Sequence, residues 1–105
     1  MIRTIRLLLP TLLVLPGVAF AHQINGTVRL PNGQPVQDEI AIDCPAMRFS
    51  DQKRTDRNGS FSFFVRDTGR CELRLGGASY PVYSGQNPVR YDLVFDPGRR
   101  ALRRR

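Results

Sequence analysis

The feature that most restricts the fold of this chain is its apolar pattern beyond residue 22. Short runs alternate apolar with polar residues, and each run is cut off by turn formers. Ile24, Gly26 and Val28 alternate with polar neighbours and lead into LPNGQP. Ile40, Ile42 and Cys44 share one side of a second run, and Phe61, Phe63 and Val65 one side of a third. Cys71, Leu73 and Leu75 form a fourth, residues 80–84 a fifth, and Tyr91, Leu93 and Phe95 a sixth, with a short edge strand expected near residues 53–55. A period of two puts successive side chains on opposite faces of a strand, whereas an amphipathic helix needs a period of 3.6. The gaps leave no room for crossover helices. About seven short strands bury one face each most economically against a second sheet. The expectation is therefore all-β: a small antiparallel two-sheet β-sandwich.

The first residues, MIRTIRLLLPTLLVLPGVAFAHQ, have the three parts of a secretory leader. Arg3 and Arg6 supply the positive start, residues 7–20 an apolar stretch, and Ala19-Phe20-Ala21 a small-x-small cleavage site. The apolar stretch is 14 residues long, against the roughly 20 that a membrane-spanning helix needs. A signal peptide over residues 1–21 is expected, with a periplasmic or secreted product starting at His22 and no transmembrane segment in it. Residues 22–96 then form a single domain.

Of 16 Lys and Arg residues, Arg3 and Arg6 lie in the leader; the other 14 face 9 Asp and Glu, a net of +5. Arg99, Arg100, Arg103, Arg104 and Arg105 account for that whole excess. Residues 22–98 are neutral, so nucleic-acid binding, which needs clustered charge on a folded face, is not expected. Pro97-Gly98 ends the last alternating run, and the arginines after it should repel one another, giving a disordered tail over residues 97–105. Such a tail suits an envelope protein, an anionic polysaccharide or lipid head groups as partners.

In an exported protein two cysteines read first as a disulfide. Cys44 is in phase with Ile40 and Ile42, and Cys71 with Leu73 and Leu75, so both point into the core, where they can join across it. His22 is the sole histidine, which leaves no partner set for a four-ligand zinc site or an activated thiol. With the carboxylates scattered, no nucleophile–base constellation emerges, so neither catalysis nor a cofactor is expected. As a mature N-terminus His22 could chelate copper through its amine and imidazole, although a second histidine is missing. This is one alternative function. Another is carbohydrate binding through Tyr80 and Tyr83 as an aromatic platform.

The stretch RTDRNGSFSFFV carries Asp56, Asn58 and Ser60 at alternating positions, with Asp67 at the twelfth position counted from Asp56. That resembles a calcium loop, but such a loop needs glycine at the sixth position, where Phe61 stands. A tight hairpin explains the stretch better: Asn58-Gly59 supplies positive φ angles and the Asp56 carboxylate bonds nearby amides.

GTVRLPNGQPV (residues 26–36) followed by TDRNGSF (residues 55–61) resembles carboxypeptidase regulatory-like domains, which have a transthyretin-like sandwich. The match spans roughly residues 24–95. It departs from the pattern at Gly69-Arg70-Cys71, where the family shows a tyrosine in place of the cysteine. The resemblance implies a transthyretin-like β-sandwich and a non-catalytic module of exported proteins that binds or spaces, without naming a ligand.

Overall fold

Each alternating run becomes a strand with its apolar phase buried. The computed structural model describes residues 21–105, so nearly all of the expected signal peptide lies outside the described residues. The strands are β1 (Gln23–Arg29), β2 (Glu39–Cys44), β3 (Phe49–Arg54), β4 (Ser60–Phe64), β5 (Gly69–Leu75), β6 (Ala78–Ser84), β7 (Val89–Asp96) and β8 (Ala101–Arg104). They form two four-stranded sheets. Sheet A has the order β4-β1-β7-β8 and sheet B the order β3-β2-β5-β6. Ile24, Val28, Ile40, Ile42, Phe63, Leu73 and Leu93 are fully shielded from solvent. They belong to the phases that the alternation assigns to the core, and burying each is worth about 1.5–3 kcal/mol.

Four features differ from the sequence expectations. First, the sandwich is not wholly antiparallel: β1 and β7 pair in parallel from Ile24↔Val89 to Arg29↔Val94. A tight turn enforces antiparallel pairing, but β7 arrives from β6 in the facing sheet, so no turn ties its direction to β1. Second, there are eight strands among the described residues, because the segment expected to be a disordered tail contains β8. It pairs antiparallel with β7 from Leu93↔Arg104 to Asp96↔Ala101. Leu102 anchors it in the core at 8% exposure.

Third, the Cys44–Cys71 disulfide is present but does not bridge the two sheets. β2 and β5 are antiparallel neighbours in sheet B, registered through Ile42↔Leu73 and Asp43↔Glu72, and the cysteines lie one step further along. Their Cα atoms are 4.2 Å apart, the close spacing of a pair without mutual backbone hydrogen bonds. Fourth, residues 55–59 do not make a hairpin, since β3 lies in sheet B and β4 in sheet A. They form a compact crossing between sheets, in which Gly59 has a positive φ (76°) and Asn58 does not.

Candidate functional site

The outer face of sheet A follows from the strand phases. Ile24, Gly26 and Val28 on β1 point inward, so Asn25, Thr27 and Arg29 point outward. Tyr91, Leu93 and Phe95 likewise send Arg90, Asp92, Val94 and Asp96 outward on β7. Parallel register sets Asn25 beside Arg90, Thr27 beside Asp92, and Arg29 beside Val94. On the other flank of β7, Val94 faces Arg103, and the Arg105 N–H donates to the Asp92 carbonyl at 2.9 Å. Arg29, Arg90, Arg103 and Arg105 thus share one face across three adjacent strands. Val94 is buried although it lies on this outer face; its register neighbours on the two flanking strands are Arg29 and Arg103.

Asp92 is the carboxylate at the centre of this group. Its Oδ1 accepts from the Thr27 hydroxyl at 2.8 Å, and its Oδ2 from Arg90 Nε at 3.1 Å. Burial works against its ionisation. The Thr27 hydrogen bond, the Arg90 hydrogen bond and the charges of Arg90 and Arg105 outweigh that effect and hold the carboxyl below its ordinary 3.8. A lowered folded-state pKa means that this stabilisation is present above the unfolded value, near 3.9, and is lost as pH falls through the folded one. Asp92→Asn is therefore expected to lower the melting temperature at pH 7, by an amount that shrinks as pH falls below the carboxyl's ordinary value. A thermal melt series of the two proteins against pH checks this, and a pH-independent gap would show that the ionic form contributes nothing.

The other arginines of the C-terminal segment have separate roles. Arg104 is out of phase with Arg103, and its guanidinium lies 4.8 Å from the Tyr91 ring centroid while donating to the Arg90 carbonyl at 3.2 Å. Arg99 sits beside Asp96 at 3.9 Å, and the Arg100 side chain approaches Gly77. The five arginines that the sequence sets apart as a tail are therefore distributed around one folded edge. Sequence reasoning missed Arg29, Arg90 and Asp92 as their neighbours. The signal for each side chain's face was there in the alternation, but their grouping depends on the β1–β7 pairing.

Elsewhere the candidate residues separate. The Asp56 carboxylate accepts from the N–H groups of Asn58 (2.8 Å) and Ser60 (2.9 Å), and the Gly59 N–H closes the turn onto the Asp56 carbonyl at 2.9 Å. Asp56, Asn58 and Gly59 thus form a turn in which the carboxylate is occupied by backbone amides. Asp67 caps its own local amide at Thr68 (2.7 Å). The His22 N–H donates to the Gly85 carbonyl at 3.0 Å and its carbonyl accepts from Val65 at 2.9 Å. Its Nδ1 is buried without a partner, and no group of three or more His, Cys, Asp or Glu side chains suited to a metal occurs among the described residues. Tyr80 and Tyr83 are three residues apart on β6 and so face opposite ways. Tyr80 packs edge-on against Tyr91 at 6.2 Å, while Tyr83 is 55% exposed on the outer face of sheet B. The pair forms no common platform.

No helix among the described residues is long and apolar enough to cross a membrane. Comparisons with protein-family models, curated proteins and solved structures found no match to this chain.

Proposed function

We propose that the chain is a non-catalytic binding module of the carboxypeptidase regulatory-like type, working in the periplasm or outside the cell. Its target is an anionic component of the envelope or its surroundings, held by the arginine face of sheet A. The observation that carries this reading is the incorporation of β8 into that sheet. Pairing fixes Arg103 and Arg105 beside Arg90 and Arg29, so their charges are positioned by backbone ladders and need little ordering on binding. Four guanidiniums on one face can make bidentate contacts to carboxylate, phosphate or sulfate groups. Asp92 offsets one of the four charges and also holds Arg90 in place.

Two observations support export. Residues 1–21 have a leader's composition, and the disulfide is of a kind that persists in oxidising compartments. The absence of a catalytic role rests on the state of the usual reactive groups: both thiols are in the disulfide, and Asp56 and Asp92 are engaged as described.

A charge at an anionic lipid surface is worth about 1 kcal/mol per arginine. Arg103→Gln/Arg105→Gln is accordingly expected to weaken binding to anionic vesicles or an immobilised polyuronate by roughly 30-fold, and to flatten its salt dependence. Co-sedimentation across a salt series, on protein shown by circular dichroism to be folded, measures both. Retention equal to that of the native protein would overturn the arginine reading.

A further inference from the structure

The four sheet edges of the sandwich are not equally protected. In an antiparallel ladder the residues of an edge strand alternate between bonding to the neighbouring strand and presenting N–H and C=O outward. On β3, the bond from the Thr55 N–H to the Asp38 carbonyl (2.9 Å) sets the phase, so Ser50, Gln52 and Arg54 face outward. The Gln52 N–H is taken by the Asp51 carboxylate at 2.8 Å. On β4, the Val65–His22 bond leaves Ser60, Ser62 and Phe64 outward. The Ser60 N–H bonds to Asp56 at 2.9 Å, and the Ser62 carbonyl accepts from Lys53 Nζ at 2.8 Å. The same alternation, carried from β3 through β2 and β5, turns Ser79, Pro81 and Tyr83 outward on β6. Pro81 has no N–H to offer, and the Tyr83 N–H donates to the Tyr91 hydroxyl at 3.1 Å.

On β8, among the described residues, no side chain or proline occupies the outward backbone groups, and only its shortness and its arginines guard the edge. The Arg105–Asp92 bond (2.9 Å) turns residues 101, 103 and 105 toward β7, so Leu102 and Arg104 present their N–H and C=O outward. No hydrogen bond to these backbone groups occurs among the described residues, and no proline interrupts the strand. Arg103 and Arg105 project beside this edge on the outer face, and Arg104 on the other.

We propose that β8 is a docking edge for an extended acidic segment of a partner protein, which joins sheet A as an additional strand alongside Leu102 and Arg104. This deepens the arginine reading and rests on it. Main-chain hydrogen bonds would supply register, and carboxylates at every second position of the incoming strand would lie next to Arg103 and Arg105. A second copy of this chain is disfavoured as the occupant, because two β8 strands side by side bring like charges together. A polysaccharide or lipid head group would use the guanidiniums but leave the outward amides and carbonyls to water.

The test uses the disulfide-bonded protein and a capped peptide of alternating glutamate and valine, with binding measured by calorimetry at low salt. Two N-methylated versions block alternate sets of backbone amides. Strand addition predicts that one version loses roughly tenfold in affinity while the other binds like the parent, because only one set of amides faces β8. Arg104→Pro removes one outward donor without touching the backbone ladder to β7, and the side-chain bond to the Arg90 carbonyl is lost in Arg104→Pro and Arg104→Ala alike. Arg104→Pro should weaken the peptide more than Arg104→Ala does, with anionic vesicles affected equally by both. If both N-methylated versions bind as the parent does, or lose equally, strand addition is overturned. Should vesicles and polyuronate still bind in a way that requires Arg103 and Arg105, the arginine reading survives that loss. If no polyanion binds, both fall together.

Discussion

Gly26→Ala is expected to leave the chain unable to form a stable sandwich. Gly26 lies at the middle of β1, between Phe61 on β4 and Tyr91 on β7. A Cβ built there would sit 1.7 Å from the Tyr91 carbonyl oxygen and 2.6 Å from its carbon, at a φ of 157°. Both atoms are backbone, so no rotamer change relieves the overlap. Strands β1 and β7 would have to separate, breaking the central ladder of sheet A. Loss of more than about 4 kcal/mol follows, out of the 5–15 kcal/mol that holds a typical domain together. Insoluble protein, or a far-ultraviolet spectrum without a cooperative melt, is the expected result. Gly33→Ala is the control, since φ is 91° there but nothing lies within 4 Å of the added carbon; it should cost about 1–2 kcal/mol, the backbone strain alone. A Gly26→Ala protein melting within a few degrees of the native one would show that the β1–β7 pairing is misassigned.

Gly26 also shows where the sequence stops being legible. Alternation places it correctly on the inner phase of β1, yet nothing local says that a neighbouring carbonyl will occupy the space of its side chain. That demand comes from a strand 65 residues away. The same division runs through the molecule. Period two identified which face Cys44 and Cys71 occupy, because facing is a property of one strand. It could not identify them as neighbours within a sheet, because neighbourhood depends on how strands are ordered. The Asp56 turn was readable because its hydrogen bonds close within five residues.

The arginine segment was misread for a physical reason. A run of like charges repels itself when the chain is considered alone, and that suggests disorder. Strand pairing changes the balance by sending consecutive arginines to opposite faces, while Leu102 is buried in the core. Leu102 was the available signal: one large apolar residue in the expected tail, five positions beyond Pro97. With β8 included, the positive charge belongs to the folded surface, and the candidate site becomes a property of sheet A.

Removing the disulfide should produce the second large effect. Cys44 is where the chain leaves the core strands of sheet B, and Cys71 is where it returns. Between them run β3, the crossing at Asp56 and all of β4 in the opposite sheet. The bridge therefore closes a loop that passes from sheet B into sheet A and back, with a sequence separation of 27. On the chain-entropy account this is worth about 3.5 kcal/mol, and Cys44→Ala/Cys71→Ala should lower the melting temperature by roughly 15–25 °C. Both cysteines are buried, at 0% and 1% exposure, so a reductant must wait for the sheet to open. Thiol labelling under dithiothreitol should be slow in buffer and accelerate steeply with added denaturant. The neighbouring strands would still register through Ile42↔Leu73, so the reduced protein should keep its strand content while melting earlier. A double-alanine variant as stable as the native protein would mean that the unfolded chain already holds β2 and β5 together, and the entropic account of this bridge would fail.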